Sequence, residues 1–77
     1  MIDNKLKSLL KLKDAKNIEY SKALKLKNPQ ALNTKFSRES FKIQDLIVLG
    51  EVTDTKLAFI DKDNKPLIVF DKEDLSK

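Results

Sequence analysis

At 77 residues without cysteine or histidine, the chain can hold one small core, and it lacks the side chains for disulfides, thiolate metal sites or an imidazole general base. A core of this size needs reinforcement, and with those staples excluded the common remaining route is oligomerisation. The net charge of +4 is unevenly spread: residues 1–42 carry eleven basic residues against four acids, residues 43–77 five against eight, so a polyanion would meet the first half. An enzyme is not expected, and neither is a cofactor, a metal or a small-molecule ligand. No run approaches the roughly 20 apolar residues of a membrane span, and the lysines near the N-terminus are scattered among apolar positions instead of preceding them. The expectation is a cytoplasmic protein without a membrane partner.

Taken in chain order, Ile2, Leu6, Leu9, Leu10 and Leu12 recur at helical spacing and predict a first helix over residues 4–13, with Asp3 as its N-cap and lysines on the far side. Asn17 is expected to cap a second short helix, with Ile18, Tyr20, Ala23 and Leu24 as its apolar members. A lysine-rich turn follows, in which Leu26 is expected to tuck under the helix pair. Asn28-Pro29 is the sharpest start signal in the chain. Asparagine favours the N-cap, and proline at the first helical position lacks only an N–H that would be orphaned anyway. In the helix that opens there, Ala31, Leu32 and Phe36 form the buried side, leaving Gln30, Asn33, Thr34, Lys35, Ser37 and Arg38 outside. Ile43, Leu46, Ile47 and Gly50, extended by Leu49 and Val52, mark a fourth helix running to about Val52. Gly50 is read either as its C-cap or as a point of close backbone approach.

Beyond Lys56 the pattern changes. LAFI (57–60) and LIVF (67–70) are short runs of β-formers separated by DKDNKP, in which Asn64 tolerates left-handed geometry and Pro66 suits the start of a strand. This predicts a β-hairpin, followed by a short charged tail, DKEDLSK, expected to fray. Two regions of one domain result: residues 1–54, the helical region, and residues 55–77, the hairpin.

Two short helices joined by a tight turn, the second presenting a polar surface, match the helix-turn-helix layout whose second helix enters the major groove. Gln30 and Asn33 are of the type that pairs bidentately with adenine, and Thr34 can meet a base edge or a thymine methyl. Lys35 and Arg38, further along, suit phosphate contact. Asn17, Lys27 and Asn28 complete the candidate DNA-binding set. Polar residues on one side of a helix are ordinarily just solvated; the preceding helix and the basic surroundings favour nucleic acid here.

The stretch from Asn17 to Leu46, above all ALKLKNPQALNTKFSRESFKIQDL, resembles the short Cro/lambda-repressor-type regulators of bacteria, phages and mobile elements. Ala23-Leu24, Pro29 to Leu32, Lys35 to Arg38, Ser40-Phe41 and Asp45-Leu46 stand where that pattern has them. The resemblance implies an α+β fold, a four-helix lambda-repressor-like helix-turn-helix followed by a C-terminal β-hairpin. It also implies groove-facing roles for Gln30, Asn33, Thr34 and Lys35 and a backbone role for Arg38. The sequence departs from the pattern where Lys25 replaces the usual turn glycine, where one extra residue lies between Leu24 and Pro29, and where Asn17 replaces a glutamine.

Both runs of the hairpin are apolar on both faces, so two covers are needed. The chain's own helices are expected to cover one, and the hairpin of a second copy the other or an open edge, making Leu57, Phe59, Ile60, Leu67, Ile68, Val69 and Phe70 the candidate homodimer interface. A twofold dimer would present recognition helices about 34 Å apart to double-stranded DNA and favour a near-palindromic operator. The expected function is thus a dimeric, sequence-specific transcriptional repressor. The competing reading is a protein-interaction or antitoxin-like accessory module that docks through the hairpin. RNA is disfavoured, since exposed aromatic pairs for stacking bases are not evident. Ser8-Leu9-Leu10-Lys11 has a hydrolase-like spacing without supporting motifs, and Asp61 to Asn64 starts like a calcium loop but lacks its glycine and glutamate.

Overall fold

A computed structural model describes residues 2–75 of the protein, so the last two residues of the charged tail lie outside the described residues. The fold is α+β: helices α1 (Ile2–Leu12), α2 (Asn17–Ala23), α3 (Pro29–Arg38) and α4 (Ile43–Val52) precede an antiparallel hairpin of β1 (Leu57–Ile60) and β2 (Pro66–Phe70), closed by a 3₁₀ turn at Lys72–Leu75. Among the described residues no helix is long and apolar enough to cross a membrane.

The start of α3 follows from its sequence. Asn28 sits in extended geometry and its Oδ1 accepts from the Ala31 N–H at 3.0 Å, while Pro29 occupies the first turn. The second helix differs in detail from the expectation: Asn17 is its first residue, not its cap. Lys16 takes the N-cap position, and its N–H donates to Glu19 Oε1 at 2.9 Å, so a carboxylate three residues on supplies the acceptor that Asn17 was expected to provide. Asp3 likewise lies inside the first turn of α1, where its charge meets the positive end of the helix dipole.

A single core joins the helices, centred on Leu10, Tyr20, Leu32, Phe36 and Leu49, with Leu26 packed against it from the α2–α3 turn. Burying these side chains is the main favourable contribution, at about 1.5 to 3 kcal/mol each before entropy is counted. Four residues assigned to apolar stripes are exposed instead: Ile2, Ile18, Ile43 and Leu12, the last at 79%. A stripe broad enough to look core-facing on each short helix exceeds what one small core can cover.

Left-handed backbone follows each α-helix and marks the hairpin turn: Asp14 after α1, Lys25 after α2, Glu39 after α3, Asp54 after α4 and Asn64 between the strands all have positive φ. Such positions usually fall to glycine, yet the chain's one glycine is spent elsewhere. Gly50 lies within α4 and is buried; a Cβ there would come 2.9 Å from the Thr55 carbonyl oxygen. Of the two readings for this glycine, close approach holds and the C-cap does not, because Thr53 occupies that position. The Thr53 hydroxyl, itself buried, donates to the Leu49 carbonyl at 2.8 Å and lies 2.7 Å from Thr55 Oγ1, fastening the helix end to the chain that leads into β1.

The described part of the tail is not frayed. Asp71 accepts from the Glu73 N–H at 3.0 Å, and the Asp71 N–H donates to Asp74 Oδ2 at 2.9 Å, which wind the segment into its 3₁₀ turn against α4. Closely spaced acidic side chains, read as a solvated tail, serve as local backbone acceptors.

Candidate nucleic-acid interface

Helix α3 buries Leu32 and Phe36 and turns Gln30, Asn33, Thr34, Ser37 and Arg38 to solvent. Residues 30, 33, 34 and 37 follow the i, i+3, i+4, i+7 spacing of a single helix face, so two amides and two hydroxyls share one surface. The Thr34 hydroxyl donates to the Gln30 carbonyl at 3.1 Å. Lys27 and Asn28 are exposed in the turn just before this face, and Asn17 is exposed at the start of α2. Asn28 has already committed its Oδ1 to the helix cap, which leaves its amide nitrogen as the group free to donate outward.

The turn from α2 to α3 spans Leu24 to Asn28, and Lys25 within it adopts φ 60°. Lysine here takes the left-handed conformation for which glycine would be the usual choice, at a cost on the order of 1 kcal/mol. The chain reversal is thus made without a glycine. Helix α2 packs against both α3 and α4. The Ser21 hydroxyl is buried and lies 3.5 Å from the Asn28 carbonyl it donates to, tying the two sides of the turn.

Lys35 is the departure from the expected face. Its ammonium donates to Asp45 Oδ2 at 2.9 Å, with side chains only 22% and 15% exposed, and it lies 5.9 Å from the centre of the Phe41 ring. One residue after Thr34 and so turned off the polar face, position 35 points toward α4, where a carboxylate captures it. Asp45 does more than hold Lys35. Its Oδ2 also accepts from the Lys42 N–H at 3.0 Å, capping α4, and its backbone carbonyl accepts from the buried Tyr20 hydroxyl at 2.7 Å. Burial first, and the Asp45 charge second, push the Tyr20 phenol well above its ordinary range. Helices α2, α3 and α4 thus converge on one acidic residue that sequence reasoning passed over. The signal available was its position, three residues after the last non-helical residue, where a carboxylate reaches back to a free N–H.

The chain matches no protein-family model, no curated protein and no solved structure.

The hairpin pairs Leu57 with Phe70, Ala58 with Val69 and Phe59 with Ile68, then shifts register so that Ile60 meets Pro66. Of the seven residues expected at an interface, Leu57 and Phe70 are half-buried at the root, and Phe70 meets Phe59 edge-on at 6.3 Å between ring centres. The other five, Phe59, Ile60, Leu67, Ile68 and Val69, are exposed. The expectation that the chain's own helices cover one face is corrected: they hold the root, mainly through α4, and leave both faces of the outer hairpin open. At the root Lys56 lies 3.8 Å from Asp71 in a solvent-exposed ion pair.

Proposed function

We propose that the protein is a sequence-specific double-stranded DNA-binding regulator of the Cro/lambda-repressor type. In this reading α2 and α3 form its helix-turn-helix, and it acts in the cytoplasm as a dimeric repressor that occludes a promoter at a near-palindromic operator. The observation that carries the reading is the exposed surface of α3, where Gln30, Asn33, Thr34 and Ser37 lie on one face with Arg38 beside them. A ten-residue helix fits the major groove, and amides near its N-terminal end suit adenine edges. Lys27 and Arg38 flank the face and form no ion pair among the described residues, as phosphate contacts require. Lys35 is reassigned in this reading: it positions α3 against α4. Catalysis and small-molecule ligands play no part.

Selection of bound fragments from random duplex DNA tests the reading directly. The expected product is an inverted repeat whose half-sites lie about one helical turn apart. On that site, Gln30→Ala or Asn33→Ala should relax the preference at one base pair per half-site by about 1 to 3 kcal/mol. Equal losses on every duplex would contradict the groove assignment.

The bare apolar hairpin favours one other reading, an accessory module that docks on a different protein. Salt separates the two, since phosphate-driven binding weakens steeply as salt rises and apolar docking does not.

A further inference from the structure

We infer that Lys7, on α1, contacts a DNA phosphate, meeting the strand of the duplex opposite to the one that Arg38 meets. The inference rests on the groove reading of α3 and adds to it a residue from outside the helix-turn-helix. Successive side chains of a helix turn by about 100°, so Phe36 and Arg38, two positions apart, stand on nearly opposite sides of the α3 axis. Across the solvent side between them lie, in order from Arg38, Thr34, Gln30, Ser37 and Asn33. Lys35, three positions before Arg38, falls on the same side as Arg38, and Asp45 holds its ammonium at 2.9 Å. Both cations of α3 therefore belong to one flank of the polar face, and the flank next to Asn33 has none of its own.

Helix α1 places a cation on that flank. The Lys7 ammonium lies 5.2 Å from the centre of the Phe36 ring, on the side of α3 away from Arg38. The ring attracts the ammonium through its negative face, which narrows the range of a long flexible stem without neutralising the charge. Lys7 is exposed, and among the described residues it forms no ion pair. A charge already held near its working position loses less freedom when it meets a ligand.

The shape of the duplex assigns the two flanks to two strands. A major groove about 12 Å wide is walled by the phosphates of both strands, and a helix with its side chains is about 10 to 12 Å across. With the polar face turned to the base edges, one flank of α3 meets each wall. Arg38 serves the first wall and Lys7 the second, so a cation from α1 completes a clamp that α3 alone cannot form. The competing role for Lys7, shielding the Phe36 ring from water, uses its stem and not its charge.

The test follows binding of the full chain to a selected duplex across a salt series, comparing the native protein with K7M, K7R and K5Q. K7M keeps an apolar stem over Phe36 and removes only the charge. Lys5, on the far side of α1 beside Leu9 and Leu12, is the control. K7M should bind roughly three- to tenfold more weakly near 0.1 M salt and lose about one unit of salt slope per bound protomer, with its base preference unchanged. K7R and K5Q should keep the native slope. Ethylation interference locates the contact: K7M should lose dependence on a phosphate of one strand in each half-site, and R38A on a phosphate of the other strand. A K7M protein with the native slope overturns the inference, as does loss of phosphates on the same strand in K7M and R38A. If base preference persists in that case, the groove reading stands without Lys7. Conversely, an Asn33→Ala protein weakened equally on every duplex, beside a K7M protein that still loses its unit of slope, sinks the groove assignment and keeps the phosphate contact. A native chain that binds no duplex overturns both.

Discussion

Replacing Lys35 by methionine removes an ammonium while keeping an unbranched apolar stem, and it separates two roles that the side chain could play. The ammonium donates to Asp45 at 2.9 Å from a site only 22% exposed. Hydrogen bonds to charged groups contribute about 1.5 to 3 kcal/mol, and fully exposed ion pairs about 0.2 to 1. This pair lies between those limits. Asp45 keeps the Lys42 N–H after the substitution, so its carboxylate is not stranded, and the methionine sulfur can still pack on Phe41. The expected cost is about 1 to 2 kcal/mol, which for a domain of this size lowers Tm by about 5 to 15 °C. Melting is followed by circular dichroism at matched protein concentration, since association raises apparent stability. In parallel, the salt dependence of binding to a selected duplex should keep the native slope in K35M. R38A should lose about one unit of slope per protomer with little change in Tm. A K35M protein that melts like the native one but loses that unit of slope would refute the reasoning, because the lysine would then be serving phosphate and not Asp45.

Gly50→Ala sets helix propensity against packing. Alanine gains about 1 kcal/mol in a helix interior, but its Cβ would meet the Thr55 carbonyl at 2.9 Å, backbone that is itself held by a 2.7 Å bond from the Thr55 N–H to the Gly50 carbonyl. Net destabilisation of about 1 kcal/mol is expected, and a melting temperature at or above the native value would show that the approach is not tight. Asn28→Ala should cost about 1 kcal/mol by removing the acceptor for the Ala31 N–H, while Asn28→Asp, which retains an oxygen and adds favourable charge at the start of the helix, should melt near the native temperature. Tyr20 makes stability depend on pH at the alkaline end. Below about pH 10 the folded and unfolded chains both hold the phenolic proton and the contribution is full; above it the unfolded chain releases the proton while the folded one keeps it, so stability falls as pH climbs. Tyr20→Phe should lose about 1 kcal/mol near neutrality with the bond to the Asp45 carbonyl, yet decline less steeply than the native chain in urea titrations above pH 10.

Signals carried by a few adjacent residues were legible in the sequence by itself. The Asn28-Pro29 start, the turn at Asn64, Pro66 at the head of a strand and the helical period of α3 and α4 each depend on steric and hydrogen-bonding rules that act within about five residues. The polar surface at positions 30, 33 and 34 was legible for the same reason, since burying Leu32 and Phe36 determines which side of the helix is left over. Tertiary structure decided what lies beyond that range. Lys35 looked like its exposed neighbours until Asp45, ten residues away, was brought against it by the packing of α4. Leu12 and Ile18 had the spacing of core residues, but only the assembled helices determine how much apolar surface one small core can enclose. The two-sided hairpin announced a need for cover from its lack of alternation; that its own helices hold only the root, leaving the remainder for another surface, follows from how the strands depart from α4.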